Sequence, residues 1–221
     1  SLKPMIIIGQ SVLKMKSGQY VFEELKKFLI KNNKINGEWN ALNILSNDAS
    51  TVGSYDLTLF SSNNGRNHLL EKLHQKSIDL LFLVGQDKLK FDREGLFVIY
   101  IGSHGDEGAK NSDLILPGSA YTEQDGYYTN LEGKIQKAYK ASYPTELAKE
   151  DWQIINEISN IIRGQFLFKN KDELIDNMFN YLNQNRKEEF ILTNFSFINE
   201  KIIVDDIDYY FSNVIAKNSK T

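Results

Sequence analysis

Short apolar runs alternate with amphipathic segments along the first two thirds of the chain. Four of these runs are continuous and bounded by glycine, proline or polar residues, which predicts strands buried on both faces of a sheet. Strands that alternate with helices indicate a mainly parallel sheet with crossover helices, a Rossmann-like α/β fold. The predicted strands cover residues 5–8, 80–84, 96–101 and 114–116.

The helices are predicted from apolar residues that recur every three or four positions. One covers 18–31 and a second covers about 67–75, so that the first two strands and these helices form a βαβ unit. After Glu150 and Asp151, a stripe of five isoleucines predicts a helix that ends at Arg163-Gly164. A capping box formed by Asn170-Lys-Asp-Glu173 predicts the next helix.

Two stretches give weaker patterns. Residues 39–53 show neither the helical repeat of three to four positions nor the alternation typical of a strand, so we expect a mixture of loop and short helix there. From Arg186 the chain changes character, and two short strands around 199–200 are one option. Aromatic residues at 209–211 are expected to cover the core or dock on something else. We therefore expect an α/β domain over 1–165 and a helical and irregular extension over 166–221.

Composition excludes several classes of protein. The net charge of -3 and the pI near 5.7 provide no basic surface for nucleic acid. No apolar run reaches the roughly 20 residues needed to span a bilayer, so direct membrane insertion is not expected. With no cysteine, these 221 residues cannot supply thiolates to zinc or to an iron–sulfur cluster. A strand that follows almost directly after Ser1 suggests a fragment of a longer protein.

The usual catalytic motifs are not found in the sequence. The Gly-rich loop 102–108 follows a strand and could bind phosphate through its amides, but Asp106 and Glu107 would repel a phosphate, which favours a tight turn. His104 could act as a base, yet no partner is identifiable beside it. His68 and His74 are six positions apart and do not share a helix face, so we expect surface histidines rather than metal ligands.

A polar loop follows the last predicted strand, between residues 113 and 136. Pro117 ends the strand, and three glycines permit tight backbone turns or close approach to a ligand. Two interpretations remain open: a pocket lining, or a loop whose polar side chains bond its own backbone amides. The side chains in question are Glu123, Asp125, Asn130, Glu132 and Gln136.

This loop and a series of other blocks resemble the molybdopterin oxidoreductase family, and within it the iron–sulfur subunit branch of the respiratory NADH-quinone oxidoreductases (complex I), in its C-terminal part. The loop pattern is Leu-Pro, an acid, then Gly126-x-x-x-Asn130-x-Glu132-Gly-basic-x-Gln136. The resemblance covers about residues 1–165, and residues 204–212 resemble the C-terminal end of that branch. The other blocks are Lys3-Pro-Met-Ile-Ile-Ile-Gly9, Trp39-Asn-Ala-Leu-Asn-Ile-Leu45, Leu81-Phe-Leu-Val-Gly-Gln-Asp87, Tyr100-Ile-Gly-Ser-His-Gly-Asp-Glu-Gly-Ala109 and Glu146-Leu-Ala-Lys-Glu-Asp-Trp-Gln-Ile154.

The resemblance implies a non-catalytic, structural part of an iron–sulfur subunit, whose complex passes electrons from NADH to quinone. It implies no cofactor in this stretch, with the iron–sulfur clusters bound N-terminal to it. The implied partners are that N-terminal part and other peripheral-arm subunits. The implied location is peripheral, at the cytoplasmic face of the bacterial inner membrane or the matrix side in mitochondria.

In molybdenum-using relatives, the corresponding strand end and polar loop approach the pterin nucleotide. Asp87 lies near the position of a common Asn, and Lys134 replaces a more usual Arg, which loses bidentate recognition of phosphate. We therefore expect none of the motif positions to be occupied. One alternative is an active, formate dehydrogenase-like molybdopterin enzyme, and another is a small-molecule enzyme that uses His104 and the loop acids. The motif positions are Gly85, Asp87, Glu123, Asn130, Glu132 and Gln136.

Overall fold

The structure is a computed structural model that describes residues 1–57, 65–87, 89–185, 192–202 and 213–219, with only the backbone described for 65–68. Its elements, in chain order, are β1 (Ile6–Gly9), α1 (Gln10–Leu13), α2 (Gly18–Lys31), β2 (Leu42–Leu45), α3 (Thr51–Asp56), α4 (Gly65–His74), β3 (Leu80–Val84), β4 (Phe97–Gly102), α5 (Glu107–Lys110), β5 (Leu114–Pro117), β6 (Gly126–Thr129), β7 (Ile135–Ala138), α6 (Asp151–Arg163), α7 (Lys171–Asn185) and α8 (Val214–Asn218).

The chain forms two compact units whose segments alternate along the sequence. The first unit comprises Ser1–Gly53, Tyr128–Gln136 and Arg186–Ile207, and the second comprises Ser54–Tyr127, Lys137–Asn185 and Asp208–Thr221. The expected domain boundary near residue 165 stays a prediction. No helix among the described residues is long and apolar enough to cross a membrane.

The first unit is built on a βαβ arrangement in which β1 and β2 are parallel neighbours, with Ile6 opposite Leu42. Helix α2 has the predicted bounds, and its apolar side chains reach a small core with the loop before β2. Gly18 permits the start of α2 to approach α1, because a Cβ there would lie 2.6 Å from the Leu13 carbonyl oxygen. This core contains Leu29, Ile35 and Ala41, flanked by Ile6, Leu25, Ile30, Trp39 and Leu42.

Strand β2 lies in the stretch predicted as loop and short helix. The short helix is present as α3, but residues 42–45 pair with β1. A four-residue strand with Asn43 inside it has no detectable period, so its conformation depends on pairing with β1 rather than on local preference. The first two predicted strands also do not share a sheet: β1 pairs with β2, and β3 belongs to the second unit.

Residues 192–202 run along α2 without forming helix or strand. The Ser17 hydroxyl donates to the Ile198 carbonyl oxygen at 2.5 Å, and the Ser17 N–H donates to Glu200 Oε1 at 2.9 Å. Tyr20 and Phe197 meet edge to face, with ring centroids 5.6 Å apart. Neither the optional strand before 199–200 nor residues 201–202 after it form a strand, and residues 203–204 and 209–211 lie outside the described residues.

The second unit contains a three-stranded parallel sheet with the order β3-β4-β5. The strands agree with three of the predicted runs, and α4 agrees with the second predicted helix. The mixed α/β architecture with parallel sheets and helices confirms the predicted fold class. One face of the sheet packs into a core made of Leu73, Leu81, Leu83, Leu96, Val98, Tyr100 and Ala109.

The prediction that both faces of these strands are buried is wrong. Leu83 is 3% exposed on the core side, whereas its neighbour Val84 is 45% exposed on the other side. Successive residues of a strand point to opposite faces, so the alternation along β3 shows that the core covers one face of this strand, whereas Ile101 of β4, on the other face, is fully buried.

Helices α6 and α7 have the predicted ends. Gly164 takes the left-handed conformation that ends α6, with φ of 70°, and Asn170 Oδ1 accepts a hydrogen bond from the Glu173 N–H at 2.9 Å. The isoleucine stripe of α6 is only partly inward, because Ile154 is buried but Ile161 is 82% exposed. Periodicity alone placed these side chains on one face and could not show how far the covering layer extends.

Candidate functional site

The carboxyl edge of the β3-β4-β5 sheet is the natural place for a ligand in a parallel α/β sheet. Strand β3 ends at Val84 and is followed by Gly85, whose φ of +59° favours glycine. Strand β4 leads into the Gly-rich loop and α5, and β5 leads into the polar loop. Several residues singled out by the sequence therefore meet at this edge.

Asp87 connects the end of β3 to the loop after β4. Its Oδ1 accepts a hydrogen bond from the Gly108 N–H at 3.1 Å, and the Tyr100 hydroxyl lies 3.4 Å from Oδ2. Burial, and then the Asp87 charge, raises the pKa of Tyr100 to about 12, so Tyr100 stays a neutral donor at physiological pH. The Asp87 carboxylate is thus committed to the chain's own groups.

The loop 102–108 forms a tight turn into α5, as predicted. Asp106 caps this helix by accepting from the Glu107 N–H at 2.9 Å, and Lys217 lies 2.5 Å from its other oxygen. The Lys217 ammonium holds the pKa of Asp106 below its usual value. The negative charges of Asp106 and Glu107 would repel a phosphate at this loop.

His104 has a partner that the sequence did not identify. The Ser103 hydroxyl lies 2.8 Å from His104 Nδ1. A hydroxyl and an imidazole in contact form the first half of a nucleophile–base pair, which a third group must orient. In the described part of the chain, no carboxylate bonds the other ring nitrogen. His74 contacts the Leu70 carbonyl oxygen on the exposed face of α4, as expected of a surface histidine, and the side chain of His68 lies outside the described residues.

The polar loop uses its acceptors on nearby backbone amides. Glu123 Oε2 accepts from the Ala120 N–H at 2.9 Å, and Asp125 Oδ1 accepts from the Lys140 N–H at 2.8 Å. The Lys140 hydrogen bond lowers the pKa of Asp125. At the start of the loop, Asp113 Oδ2 accepts from the Val98 N–H at 2.8 Å. Of the two interpretations of this loop, backbone self-satisfaction is therefore confirmed for these side chains.

The second half of the loop is a hairpin that the sequence did not predict. Strands β6 and β7 pair, and Asn130 shapes the turn between them by accepting from the Glu132 and Lys134 N–H groups at 3.0 and 2.9 Å. Gly133 completes the turn with φ of 79°. Of the six motif positions, Gly85, Asp87 and Glu123 belong to the second unit, whereas Asn130, Glu132 and Gln136 belong to the first.

Half-buried Asp151 and buried Ser119 are polar residues that sequence reasoning did not connect to this edge. Asp151 Oδ1 lies close to Gly118, where a Cβ would be 2.6 Å from that oxygen and 3.2 Å from the Gly102 nitrogen. Neither Asp151 Oδ1 nor the Ser119 hydroxyl has a hydrogen-bond partner among the described residues. Burial, and then the Glu150 charge, raises the pKa of Asp151 to about 6. From the sequence, Asp151 was expected only to be an acidic residue near the start of a helix.

The chemistry of this edge does not suit a phosphate-bearing group. Asp87, Asp106 and Asp151 supply carboxylates there, and like charges in a partly buried site repel. Among the described residues, no cluster of three or more His, Asp or Glu side chains could hold a metal ion. A groove of about 380 Å³ lies beside Asp87 and is lined by both signs of charge, including Lys90, Arg93 and Glu107.

Comparison with known proteins places these features in a family. The chain is 36% identical to the G subunit of NADH-quinone oxidoreductase from Rickettsia bellii and 37% identical to that from Rickettsia prowazekii, over 99% of this chain and 32% of each relative. It is 32% identical to the NADH-ubiquinone oxidoreductase 75 kDa subunit of Reclinomonas americana, over 100% of this chain and 33% of that protein. The chain thus spans about a third of the length of these relatives.

The resemblance seen in the sequence is confirmed by these matches. The model of the molybdopterin oxidoreductase family matches residues 1–161, which include β1 to β7 and the whole carboxyl edge of the three-stranded sheet. The match covers most of the chain, and it agrees with the parallel sheets and the loops at their ends. The chain belongs to the molybdopterin oxidoreductase family.

Proposed function

We propose that this chain is a non-catalytic, structural part of the G subunit of an NADH-quinone oxidoreductase. The observation that carries the proposal is that relatives bearing that name match 99% of the chain. The complete complex would transfer electrons from NADH to quinone through iron–sulfur clusters bound outside these residues. With no cysteine in the sequence, this stretch supplies no thiolate to such a cluster.

A structural role is supported by how the polar residues are used. Asp87, Glu123, Asp125 and Asn130 all accept hydrogen bonds from backbone N–H groups of the chain itself. A side chain that bonds its own backbone in this way stabilises the loop to which it belongs. In this proposal Asp87, Glu123 and Asn130 hold their own loops, and the six motif positions bind no cofactor. The six are Gly85, Asp87, Glu123, Asn130, Glu132 and Gln136.

The partners and location in this proposal follow from the same relatives. The chain would pack against the N-terminal iron–sulfur part of its own subunit and against other peripheral-arm subunits. It would lie at the cytoplasmic face of the bacterial inner membrane, or on the matrix side in mitochondria, without direct insertion into the bilayer.

The decisive experiment compares two variants of the full-length protein in the membranes that contain it. Glu123→Gln keeps the shape and an acceptor oxygen, so the amount of assembled complex and the NADH-quinone turnover should both stay unchanged. Ile154→Asp buries a charge in α6, so assembly and turnover should fall together. A loss of turnover in Glu123→Gln with normal assembly would refute the structural role.

The family match also favours a second candidate, an active molybdopterin-dependent oxidoreductase of the formate dehydrogenase type. Metal analysis of the full-length protein separates the two. Stoichiometric molybdenum in chelator-washed protein would establish the second candidate, whereas iron without molybdenum agrees with the first.

A further inference from the structure

The turn between α2 and β2 has an asparagine followed by a glycine at its tip, Asn36 and Gly37, and both are exposed to solvent. Ile35 and Asn40 form an antiparallel bridge at the base of the turn, and the Asn36 N–H donates to the Trp39 carbonyl oxygen at 2.9 Å. Ile35, next to the tip, is only 6% exposed and belongs to the core of the first unit. A water-accessible side-chain amide is therefore joined directly to that core.

The side-chain amide of Asn36 is polarised by the backbone of its own turn. Its Oδ1 accepts hydrogen bonds from the Glu38 and Trp39 N–H groups, both at 2.9 Å. When a nucleophile adds to the amide carbon Cγ, negative charge develops on this same oxygen, and donors already aimed at it stabilise that charge. The turn therefore favours addition of a nucleophile to Asn36 Cγ.

The backbone nitrogen of Gly37 is the nucleophile closest to this carbon along the chain. Its attack closes a small ring within one molecule, so no second reactant has to be brought to the site. Glycine has no Cβ that would hinder the approach. In the described part of the chain the Gly37 N–H donates to no acceptor, so no hydrogen bond of this group has to break first.

We propose that Asn36 is a site of spontaneous deamidation. The Gly37 nitrogen forms a bond to Asn36 Cγ, the Cγ–Nδ2 bond breaks, and the side-chain nitrogen leaves as ammonia with the proton that the Gly37 nitrogen gives up. Water then hydrolyses the cyclic imide at either of its carbonyl carbons. The products are aspartate in the ordinary backbone, or isoaspartate with the backbone routed through the side chain. The reaction goes beyond the function proposed above, because it concerns how long the first unit stays intact.

Isoaspartate at position 36 should disturb the core of the first unit. It adds a backbone carbon to a turn whose base is fixed by the bridge between Ile35 and Asn40. The same turn places Trp39, whose Nε1–H donates to the Pro4 carbonyl oxygen at 2.9 Å. A longer backbone must shift one of these groups, and closely packed residues tolerate such a shift poorly.

The aspartate product should be much milder. Asn36→Asp keeps the oxygen that accepts from Glu38 and Trp39, and it loses only the Nδ2 bonds to the Asn33 carbonyl oxygen and Oδ1, at 3.2 and 3.3 Å. All of these groups are near the exposed tip of the turn. Asn36→Asp is therefore the control for the added carboxylate without the longer backbone.

Ageing of the full-length natural protein at mildly alkaline pH tests the proposal. A protease that cleaves after glutamate releases residues 25–38 as one peptide, so Asn36 and the internal control Asn33, which precedes Lys34, are compared directly. Mass spectrometry follows the change from amide to carboxyl, and labelling by isoaspartyl methyltransferase measures isoaspartate. We expect Asn36 to convert roughly tenfold faster than Asn33 or more, with isoaspartate at position 36. Equal conversion of the two residues would overturn the proposal.

A matched variant tests the part played by Gly37. A Cβ at this position meets nothing within 4 Å, and its φ lies outside the left-handed region, so Gly37→Ala should keep the fold, which circular dichroism checks. The added methyl group crowds the attacking nitrogen, and conversion of Asn36 should slow by about tenfold. An unchanged rate would refute attack by the Gly37 nitrogen. The comparison with Asn33 in the natural protein needs no variant and decides the proposal by itself.

Hydrogen exchange measures the effect on the core. In the aged fraction that contains isoaspartate, amides of a peptide spanning 35–41 should exchange faster than those of Asn36→Asp, because only isoaspartate lengthens the backbone. Equal exchange in the two samples would contradict the disturbance of the core.

Discussion

Ser17 and Ile198 are joined by two hydrogen bonds across a separation of 181 residues. The Ser17 hydroxyl donates to the Ile198 carbonyl oxygen and accepts from the Ile198 N–H at 3.1 Å. One small side chain at the start of α2 thus makes two of the hydrogen bonds that join residues 192–202 to this helix.

Replacement of Ser17 by alanine removes both of these bonds. We expect the segment to open more easily, by about 1 kcal/mol, which corresponds to roughly fivefold faster exchange of its amides. Hydrogen exchange of a peptide spanning 192–202 measures this effect. Ser77→Ala, which loses one local bond to the Lys72 carbonyl oxygen, should leave that peptide unchanged. Unaltered exchange in Ser17→Ala would show that the two bonds do not hold the segment.

A buried ion pair on α2 should contribute more to stability than its exposed neighbour. Glu23 and Lys26 are 7% and 8% exposed and form a 2.7 Å salt bridge, and Glu23 also accepts from the Thr193 N–H at 3.2 Å. Glu23→Gln keeps the shape but removes the carboxylate charge beside a buried ammonium. We expect the free energy of unfolding to fall by about 2 kcal/mol.

The control for this substitution lies one position along the helix. Glu24 and Lys27 are also 2.7 Å apart but more exposed, and Glu24→Gln should cost less than about 0.5 kcal/mol. Chemical denaturation followed by far-ultraviolet circular dichroism compares the two variants. Equal losses would mean that burial does not control the strength of these pairs.

Asp151 should make stability depend on pH in the mildly acidic range. Its folded-state pKa of about 6 exceeds the usual 3.8, so the folded chain binds this proton more tightly than the unfolded chain. The resulting stabilisation is present at low pH and is lost as pH rises through about 4 to 6. Because the carboxyl is partly exposed, we expect a change of roughly 1 to 2 kcal/mol.

Asp151→Asn has no proton to lose at this position. The difference in free energy of unfolding between the variant and the natural chain should therefore grow from pH 4 to pH 7, in favour of the variant. Parallel pH profiles of the two proteins, from denaturant unfolding at fixed ionic strength, would reject the raised pKa.

Gly118 should tolerate no side chain. A Cβ there would meet Asp151 Oδ1 at 2.6 Å and the Gly102 nitrogen at 3.2 Å, so Gly118→Ala must move the Asp151 carboxylate and press on the end of β4. We expect a loss of about 1–3 kcal/mol in the free energy of unfolding. Gly105→Ala, at the same edge, meets nothing within 4 Å and should cost under about 1 kcal/mol. Thermal unfolding that shows the two variants to be equal would contradict the close packing at Gly118.

The sequence predicted the parts of the fold that local pattern controls. The bounds of α2, the end of α6 at Gly164 and the strands of the second unit all follow from periodicity, capping or punctuation by glycine and proline. Strand β2 was not predicted, because only its pairing with β1 makes it a strand. Burial was predicted least well: Ile161 of α6 and Val84 of β3 look like core residues in the sequence, yet both are exposed, because burial depends on tertiary contacts.

For the candidate site, the sequence identified the polar residues and left their use undecided. Glu123, Asp125 and Asn130 accept hydrogen bonds from nearby backbone amides. These bonds depend on the geometry of the loop, which the spacing of residues in the sequence does not determine. Asp151 was predicted as a first-turn acid of a helix, and its burial against Gly118 arises because β5 and α6, far apart in the chain, meet there.

The alternation of the two units along the chain has a consequence for biosynthesis. The first unit includes residues near both 1 and 200, so the Ser17–Ile198 contact cannot form until the residues up to Ile198 have left the ribosome. Because synthesis proceeds at about 5–20 residues per second, the early strands and helices of this unit stay incompletely packed, with apolar surface exposed, for about ten seconds or more. High contact order of this kind slows folding and favours aggregation. We therefore expect nascent chains to depend on chaperones until residues 192–202 have emerged and can pack against α2.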